Sequence, residues 1–261
     1  MSLVIENVTA GYDRTPVLKD VSLQVEDGHV CALMGRNGSG KTTLLRCVNA
    51  ILRPRQGSVF ANGKNVGSLS RTEIASLISL VPQSSHTAFS FSCLEMILMG
   101  SANRIKAWAT PGKRETQKAL EILNEVGIYA LARRPFNQLS GGERQLVLLS
   151  RALFQDAPIM LLDEPNTHLD FPNQHRMMAL MRELVKKREV TALISLHDPN
   201  LTLYYCDQVA MLKEGRIVTC GSVHEVMEDH ILQQVLGENI QTDITLKGLP
   251  VVTPRRPEAQ G

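Results

Sequence analysis

His29-Val-Cys-Ala-Leu-Met34 runs without interruption into Gly35-Arg-Asn-Gly-Ser-Gly-Lys41-Thr42. The first six residues form the near-continuous apolar run of a fully buried strand. The next eight match GxxxxGK[ST], the phosphate-binding loop. Beyond it Leu44, Leu45, Val48, Ile51 and Leu52 repeat at helical spacing and predict a helix that Pro54 and Gly57 close. In that context the glycines let successive backbone N–H groups turn inward on an oxyanion. The helix start adds about half a positive charge. The Lys41 ammonium adds more: a charge pair ~4 Å apart at intermediate dielectric is worth about 4 kcal/mol before desolvation. Lys41 and a metal are therefore expected to supply most of the neutralisation, the amides the geometry, and Thr42 a hydroxyl for Mg2+. The competing reading, a plain glycine-rich turn, has no need of the strand and helix that flank this one.

A second apolar run, Ile159-Met-Leu-Leu-Asp163-Glu164, ends in two acids. A buried strand would carry them to its carboxyl end, where open α/β sheets bind ligands. Asp163 suits the Mg2+ shell through water, since Mg2+ dehydrates reluctantly. Glu164 is placed to polarise an attacking water, help worth roughly 10²–10⁴ in rate. Solvated acids at a strand exit are the alternative, which the upstream loop disfavours.

Working outward, Val21, Leu23 and Val25 alternate with polar residues as in a half-buried strand, and Asn62-Gly63 marks a hairpin. Ser70…Glu73, Ser92…Glu95, Ser140…Glu143 and Ser222…Glu225 are capping boxes. From about Phe91 to Gln155 the chain reads as helical. Thereafter strands at Ile159–Leu162, Val190–Leu196, Gln208–Leu212 and Arg216–Thr219 follow one another, with a helix near Asn173–Lys187 and a short one before Gln208. Such alternation implies a parallel α/β sheet with the helical block inserted. The end, from Thr253, is expected to fray.

The chain has 261 residues, 43% of them hydrophobic, and a net charge of +2. That balance argues against a duplex nucleic-acid binder. Cys31, Cys47, Cys93, Cys206 and Cys220 lack CxxC spacing and suggest neither a zinc site nor a disulfide framework. The opening residues reach Glu6 too soon for a secretory signal, and no apolar run is long enough to cross a bilayer. Met96, Met99, Met177, Met178 and Met181 are expected in the core, and His168 and His175 in solvent.

Leu139-Ser-Gly-Gly-Glu-Arg-Gln145 is a second helix start, with Ser140 as N-cap and two glycines exposing N–H groups. It resembles the LSGGQ signature of the ABC ATPase family, with Glu143 in the fifth position. The resemblance implies one ABC ATPase domain over 1–261. Its fold would be a P-loop NTPase (RecA-like) α/β core with an antiparallel β subdomain, at 1–87 and 158–236. A helical signature subdomain at 88–157 and a C-terminal extension at 237–261 would complete it. It also implies ATP and Mg2+. Tyr12 would stack on adenine, and Gly35, Arg36, Asn37, Gly38, Ser39, Gly40, Lys41, Thr42 and Thr43 would hold the phosphates. Ser140, Gly141 and Gly142 would contact ATP held by a second copy, in a head-to-tail homodimer with two-fold symmetry. Gln83, in Leu80-Val-Pro-Gln83, matches the Q-loop glutamine that reaches metal and water. His197, in Ser195-Leu-His-Asp198, matches the switch histidine at the γ-phosphate. Catalysis then falls to Lys41, Gln83, Glu164 and His197, with Thr42, Gln83 and Asp163 at the metal. Asn166-Thr-His-Leu-Asp170 resembles the D-loop, with Asn166 where threonine or serine is common; Asp170 is the residue carried over.

A finer resemblance, in Val81–Gly100 and Gly248-Leu-Pro-Val-Val-Thr-Pro254, is to importers of iron–siderophore, haem, cobalamin or molybdate. It implies separate permease subunits, a substrate-binding protein acting indirectly, and a place on the cytoplasmic face of the membrane. Ser85–Phe91 and the start of the Ser92 helix would be the permease docking surface. Another transporter class, a non-transport ABC ATPase and a binding module without hydrolysis are the alternatives. The compact stretch between Lys41 and Ser140 has no sustained heptads, which argues against coiled-coil repair or chromosome ATPases. Intact Lys41, Asp163, Glu164 and His197 argue against a binding module.

Overall fold

The computed structural model describes residues 2–13, 15–83, 89–101, 103–104, 110–167 and 169–255. Its centre is β3 (Val30–Met34), every residue of which is buried. Alternate side chains of one strand leave opposite faces, so β3 feeds two cores. Val30, Ala32 and Met34 join one cluster; Cys31 and Leu33 join the other.

The second cluster lies under an antiparallel sheet of β1 (Leu3–Ala10), β2 (Leu18–Val25), β4 (Gln56–Ala61) and β5 (Lys64–Asn65), in the order β2-β1-β4-β5. Val21, Leu23 and Val25 are buried in it, as their alternation predicted. Asn62 and Gly63 turn β4 into β5 with positive φ at both positions (47° and 74°), the need that Asn-Gly meets. Helix α1 (Lys41–Val48) packs into the same cluster, and α2 (Arg71–Leu77) leads to β6 (Ile78–Val81).

The main sheet has the order β10-β9-β3-β8-β7-β6. Strands β6, β7 (Ile159–Asp163), β8 (Thr191–Leu196), β3 and β9 (Gln208–Lys213) are parallel; β10 (Arg216–Ser222) closes the edge antiparallel. On its far face lie α3 (Cys93–Leu98), α4 (Lys113–Glu125), α5 (Gly141–Gln155), α6 (Phe171–Lys187) and α7 (Pro199–Tyr205). The chain continues as α8 (Val223–Val226), α9 (Asp229–Leu236) and a hairpin of β11 (Ile240–Ile244) and β12 (Pro250–Pro254). Among the described residues no helix is long and apolar enough to cross a membrane.

Several expectations need correction. Helix α1 stops at Val48, short of the apolar period, because Ala50 takes a left-handed φ of 49°. The Ile51 N–H then bonds back to the Arg46 carbonyl at 2.9 Å and leaves Ile51 exposed. Of the end expected to fray, Thr253 and Pro254 pair with Gln241 and Ile240 in the hairpin, and residues 256–261 lie outside the described residues. Met99 is exposed at the end of α3, whereas Met96, Met177, Met178 and Met181 are core residues. His175 is half-buried, with Nδ1 2.9 Å from the Tyr205 hydroxyl and its ring against Phe171. His168 lies outside the described residues. No cysteine is in a disulfide, and four are buried; burial alone pushes the Cys47 thiol up to about 12.

Candidate functional site

The loop after β3 needs glycine at two places. A Cβ on Gly35 would stand 2.2 Å from the Leu212 carbonyl oxygen. Gly40 has a φ of 114°, and a Cβ there would meet Leu18 at 2.8 Å. These contacts press the loop against β9 and β2, while Arg36, Asn37 and Gly38 stay exposed. Lys41 folds back beneath the loop, and its Nζ donates to the Gly35 carbonyl at 2.8 Å. The Ser39 hydroxyl is buried in the same loop without a hydrogen-bond partner, an open polar position of the sort a bound anion fills.

Strand β7 delivers the two acids. Asp163 Oδ1 accepts from the Thr42 hydroxyl at 3.1 Å and from the Ser195 hydroxyl at 2.9 Å. Thr42 and Asp163 thus offer oxygen donors side by side, which fits the hard, oxygen-seeking Mg2+ ion. Glu164 takes a left-handed φ of 45°, a conformation that costs a non-glycine residue about 1–2 kcal/mol. Its N–H donates to Ser195 Oγ at 2.8 Å, which ties down the bend. The turned carboxylate lies 3.7 Å from Lys41 Nζ and accepts from Gln83 Nε2 at 3.1 Å. Thr167 adds a weaker bond at 3.4 Å. Burial lowers the Lys41 pKa; Glu164 and then Asp163 oppose that shift.

Gly35, Arg36, Asn37, Gln83, Glu164, Thr167 and His197 line one cleft of ≈ 730 Å³, together with Leu236 and Ile240. Ser140, Gly141 and Gly142 line another, of ≈ 610 Å³, with Asp170 and Arg176. Among the described residues the two clefts share no lining residue. At the second, the Ser140 hydroxyl accepts from the Glu143 N–H at 3.3 Å and the Ser140 N–H donates to Glu143 Oε2 at 2.8 Å. That second bond holds the Glu143 carboxyl below its ordinary value. At Ser70, Ser92 and Ser222 the hydroxyl also gives its proton to the glutamate, at 2.7 Å in each case. The Ser140 hydroxyl also contributes to lowering the Glu143 carboxyl.

Residues 18–167 match the family model described as ABC transporter. The chain belongs to the ABC transporter ATPase family. It is an ATPase subunit of a transporter and binds nucleotide. Over 233 residues it is 36% identical to a Helicobacter pylori protein named for iron chelatin transport, covering 89% of this chain and 91% of that one. A hemin import ATP-binding protein of Hydrogenovibrio crunogenus is 33% identical over 248 residues, covering 91% and 94%. Among solved structures, a metal-chelate type ABC transporter in an inward-facing conformation superposes with a TM-score of 0.85 at 27% identity, covering 97% and 96%. A dimeric ATP-binding cassette with ADP and Pi gives 0.75 at 27%, covering 85% and 98%.

Within this ABC ATPase, the candidates the structure brings together are Gly35 to Asn37, Gln83, Glu164 and His197 at one cleft, with Lys41 paired to Glu164, and Thr42 with Asp163. Thr43 is buried on α1. Tyr12 stands apart and 44% exposed, held by Arg46, whose Nη1 donates to the phenol oxygen at 2.6 Å. Asp170 caps α6 through the Asn173 N–H at 3.0 Å and also lines the Ser140 cleft. Asn166 is 0% exposed, and neither polar atom of its side chain has a partner. Two contributors were missed. Ser195 bridges Asp163 and Glu164; its signal was a buried hydroxyl among apolar residues of β8, a strand that also carries Thr191. Gln145, last in the signature string, donates to the Gln83 carbonyl at 3.3 Å and so links the signature helix to the cleft that Gln83 lines.

Proposed function

We propose that this chain is the ATP-hydrolysing subunit of a metal-chelate importer, working as a pair of copies on separate permease subunits. The names of its relatives, for iron chelatin, hemin and cobalamin import, support that cargo class. The chain would sit peripherally on the cytoplasmic face of the membrane, with a substrate-binding protein delivering cargo on the other side. No nucleic acid takes part. Of the docking segment, residues 85–88 lie outside the described residues; Phe89 is 72% exposed and edge-on to Phe91 at 6.0 Å.

In this reading the amides from Gly35 to Thr43 and the Lys41 ammonium hold the phosphates of ATP, and Tyr12 stacks on adenine. Thr42, Gln83 and Asp163 would hold Mg2+, which neutralises phosphate charge during in-line transfer. Glu164 accepts a proton from the attacking water and His197 meets the γ-phosphate. In this reading the chain divides into a core at 1–87 and 158–236, a helical part at 88–157 and an extension from 237.

The observation that carries the two-copy reading is the separation of the two anion-seeking helix starts into different clefts of one chain. Each would complete a site only across a two-fold interface. Glu164→Gln tests it. The variant is expected to bind ATP, to lose about 10²–10⁴ in turnover, and to elute as an ATP-dependent dimer. Near-normal turnover removes Glu164 from the role, and a monomer with ATP bound removes the sandwich.

A further inference from the structure

His197 is exposed at the end of β8, and α7 begins two residues later. Seven residues are too few for a helix to hold itself in place in water. The position of α7, and of the histidine beside it, must therefore come from contacts with the rest of the chain. Locally, Asp198 caps it, accepting from the N–H groups of Asn200 and Leu201 at 2.8 and 3.3 Å.

A distant contact fixes it from the other side. Asn200 Nδ2 donates to the Val252 carbonyl at 3.1 Å, and Asn200 Oδ1 accepts from the Val252 N–H at 2.8 Å. One side-chain amide thus satisfies both backbone groups of one residue on β12, as a neighbouring strand would. A two-point bond fixes rotation as well as distance, which a single hydrogen bond does not. Val252 and Leu201 are buried in the same core.

The hairpin that carries Val252 is itself held. The Thr242 N–H and hydroxyl both donate to Asp229 Oδ1 at 2.5 Å, and Gln233 Nε2 donates to the Ile240 carbonyl at 2.9 Å. Ile240 and Leu236 line the cleft that contains His197, Gln83 and Glu164. The C-terminal residues are thus a wall of the catalytic cleft.

The geometry points to Asn200 as a positioning residue for His197, with the C-terminal hairpin β11–β12 as its anchor. This rests on the reading of His197 as the γ-phosphate contact. Small displacements of a catalytic group carry large rate costs, about 10² for roughly 1 Å. Losing the two-point bond is therefore expected to lower kcat and leave ATP binding intact.

Turnover and ATP affinity of the full chain are compared for Asn200→Ala, Asn200→Asp, His197→Ala and the Asn200→Ala/His197→Ala pair. Asn200→Asp keeps the acceptor for the Val252 N–H, loses the donor and suits the first turn of a helix, so it stays informative if the alanine variant does not fold. The expected result is kcat down about ten-fold for Asn200→Ala and less for Asn200→Asp, with KM within about two-fold, and a double variant no slower than His197→Ala alone. Unchanged kcat in both Asn200 variants, or additive losses in the pair, overturns the positioning role while leaving His197 in place. Normal turnover in His197→Ala overturns the reading on which it rests, and this inference with it.

Discussion

Lys41 shows how binding and stability diverge at a single residue. Only 5% of it is exposed, and its ammonium has the Gly35 carbonyl and a 3.7 Å Glu164 oxygen for company. Burial lowers its pKa, and the pairing with Glu164 only offsets part of that. A lysine with a lowered folded-state pKa destabilises the fold while it is charged. The penalty disappears as pH rises through the folded pKa towards the ordinary lysine value, where folded and unfolded chains bind protons alike. Lys41→Met keeps the length and removes the charge. The nucleotide-free variant is expected to melt about 2–4 °C higher at pH 7, the shift that ~1 kcal/mol makes in a chain of this size, and to lose ATP binding. The gap should close as the pH is raised. Thermal unfolding across that range checks it; a lower Tm at neutral pH contradicts it. Lys41, Asp163 and Glu164 were legible in sequence because each belongs to a short motif whose spacing encodes its place. Ser195 was not, since its hydroxyl gains meaning only when β7 and β8 pair and set it opposite Asp163.

At the scale of elements, local rules read well and long-range ones did not. Ser70, Ser92 and Ser140 each accept from the backbone of a glutamate three residues on, as the capping boxes predicted; Ser222 bonds only the Glu225 carboxylate. Ile51 and Leu52 continue the apolar period of α1 beyond its end at Val48. What ends it is a Schellman motif: the Ala50 N–H bonds to the Cys47 carbonyl at 3.0 Å and the Ile51 N–H to the Arg46 carbonyl at 2.9 Å. The left-handed position is filled by alanine, so no glycine announced the stop. Ala50→Gly is accordingly expected to stabilise the protein by about 0.5–1 kcal/mol, since glycine takes φ of 49° without the Cβ penalty. Denaturant melts measure this, and the KM for ATP should not move. A loss of stability would mean that the contacts of the Ala50 methyl outweigh backbone strain. The β11–β12 hairpin went unread for a different reason. Its strands carry little apolar alternation, and their order comes from side chains outside them: Asp229 and Gln233 on α9 just before, and Asn200 on α7 much further back.

At the scale of the molecule, the proposed pair of copies sets the phosphate loop of one chain against the signature helix of the other. Gln145 ties the signature helix to the Gln83 backbone of its own chain. Ser140 lines a cleft that, among the described residues, shares no lining residue with the cleft beside this chain's own phosphate loop. Ser140→Arg would fill the Ser140 cleft and, in the proposed pair, set a cation where the partner's ATP enters. It should abolish turnover while ATP still binds to the variant's own loop. Lys41→Ala fails in the opposite way, with an intact signature and a dead loop. Mixed in equal amounts, the two inactive chains pair half the time, and each mixed pair carries one intact composite site. Site counting then gives about one quarter of wild-type turnover as the ceiling for independent sites. Titrating one variant against the other, with phosphate release as the readout, follows the recovery. Normal hydrolysis by Ser140→Arg alone would mean that the site is complete within a single chain.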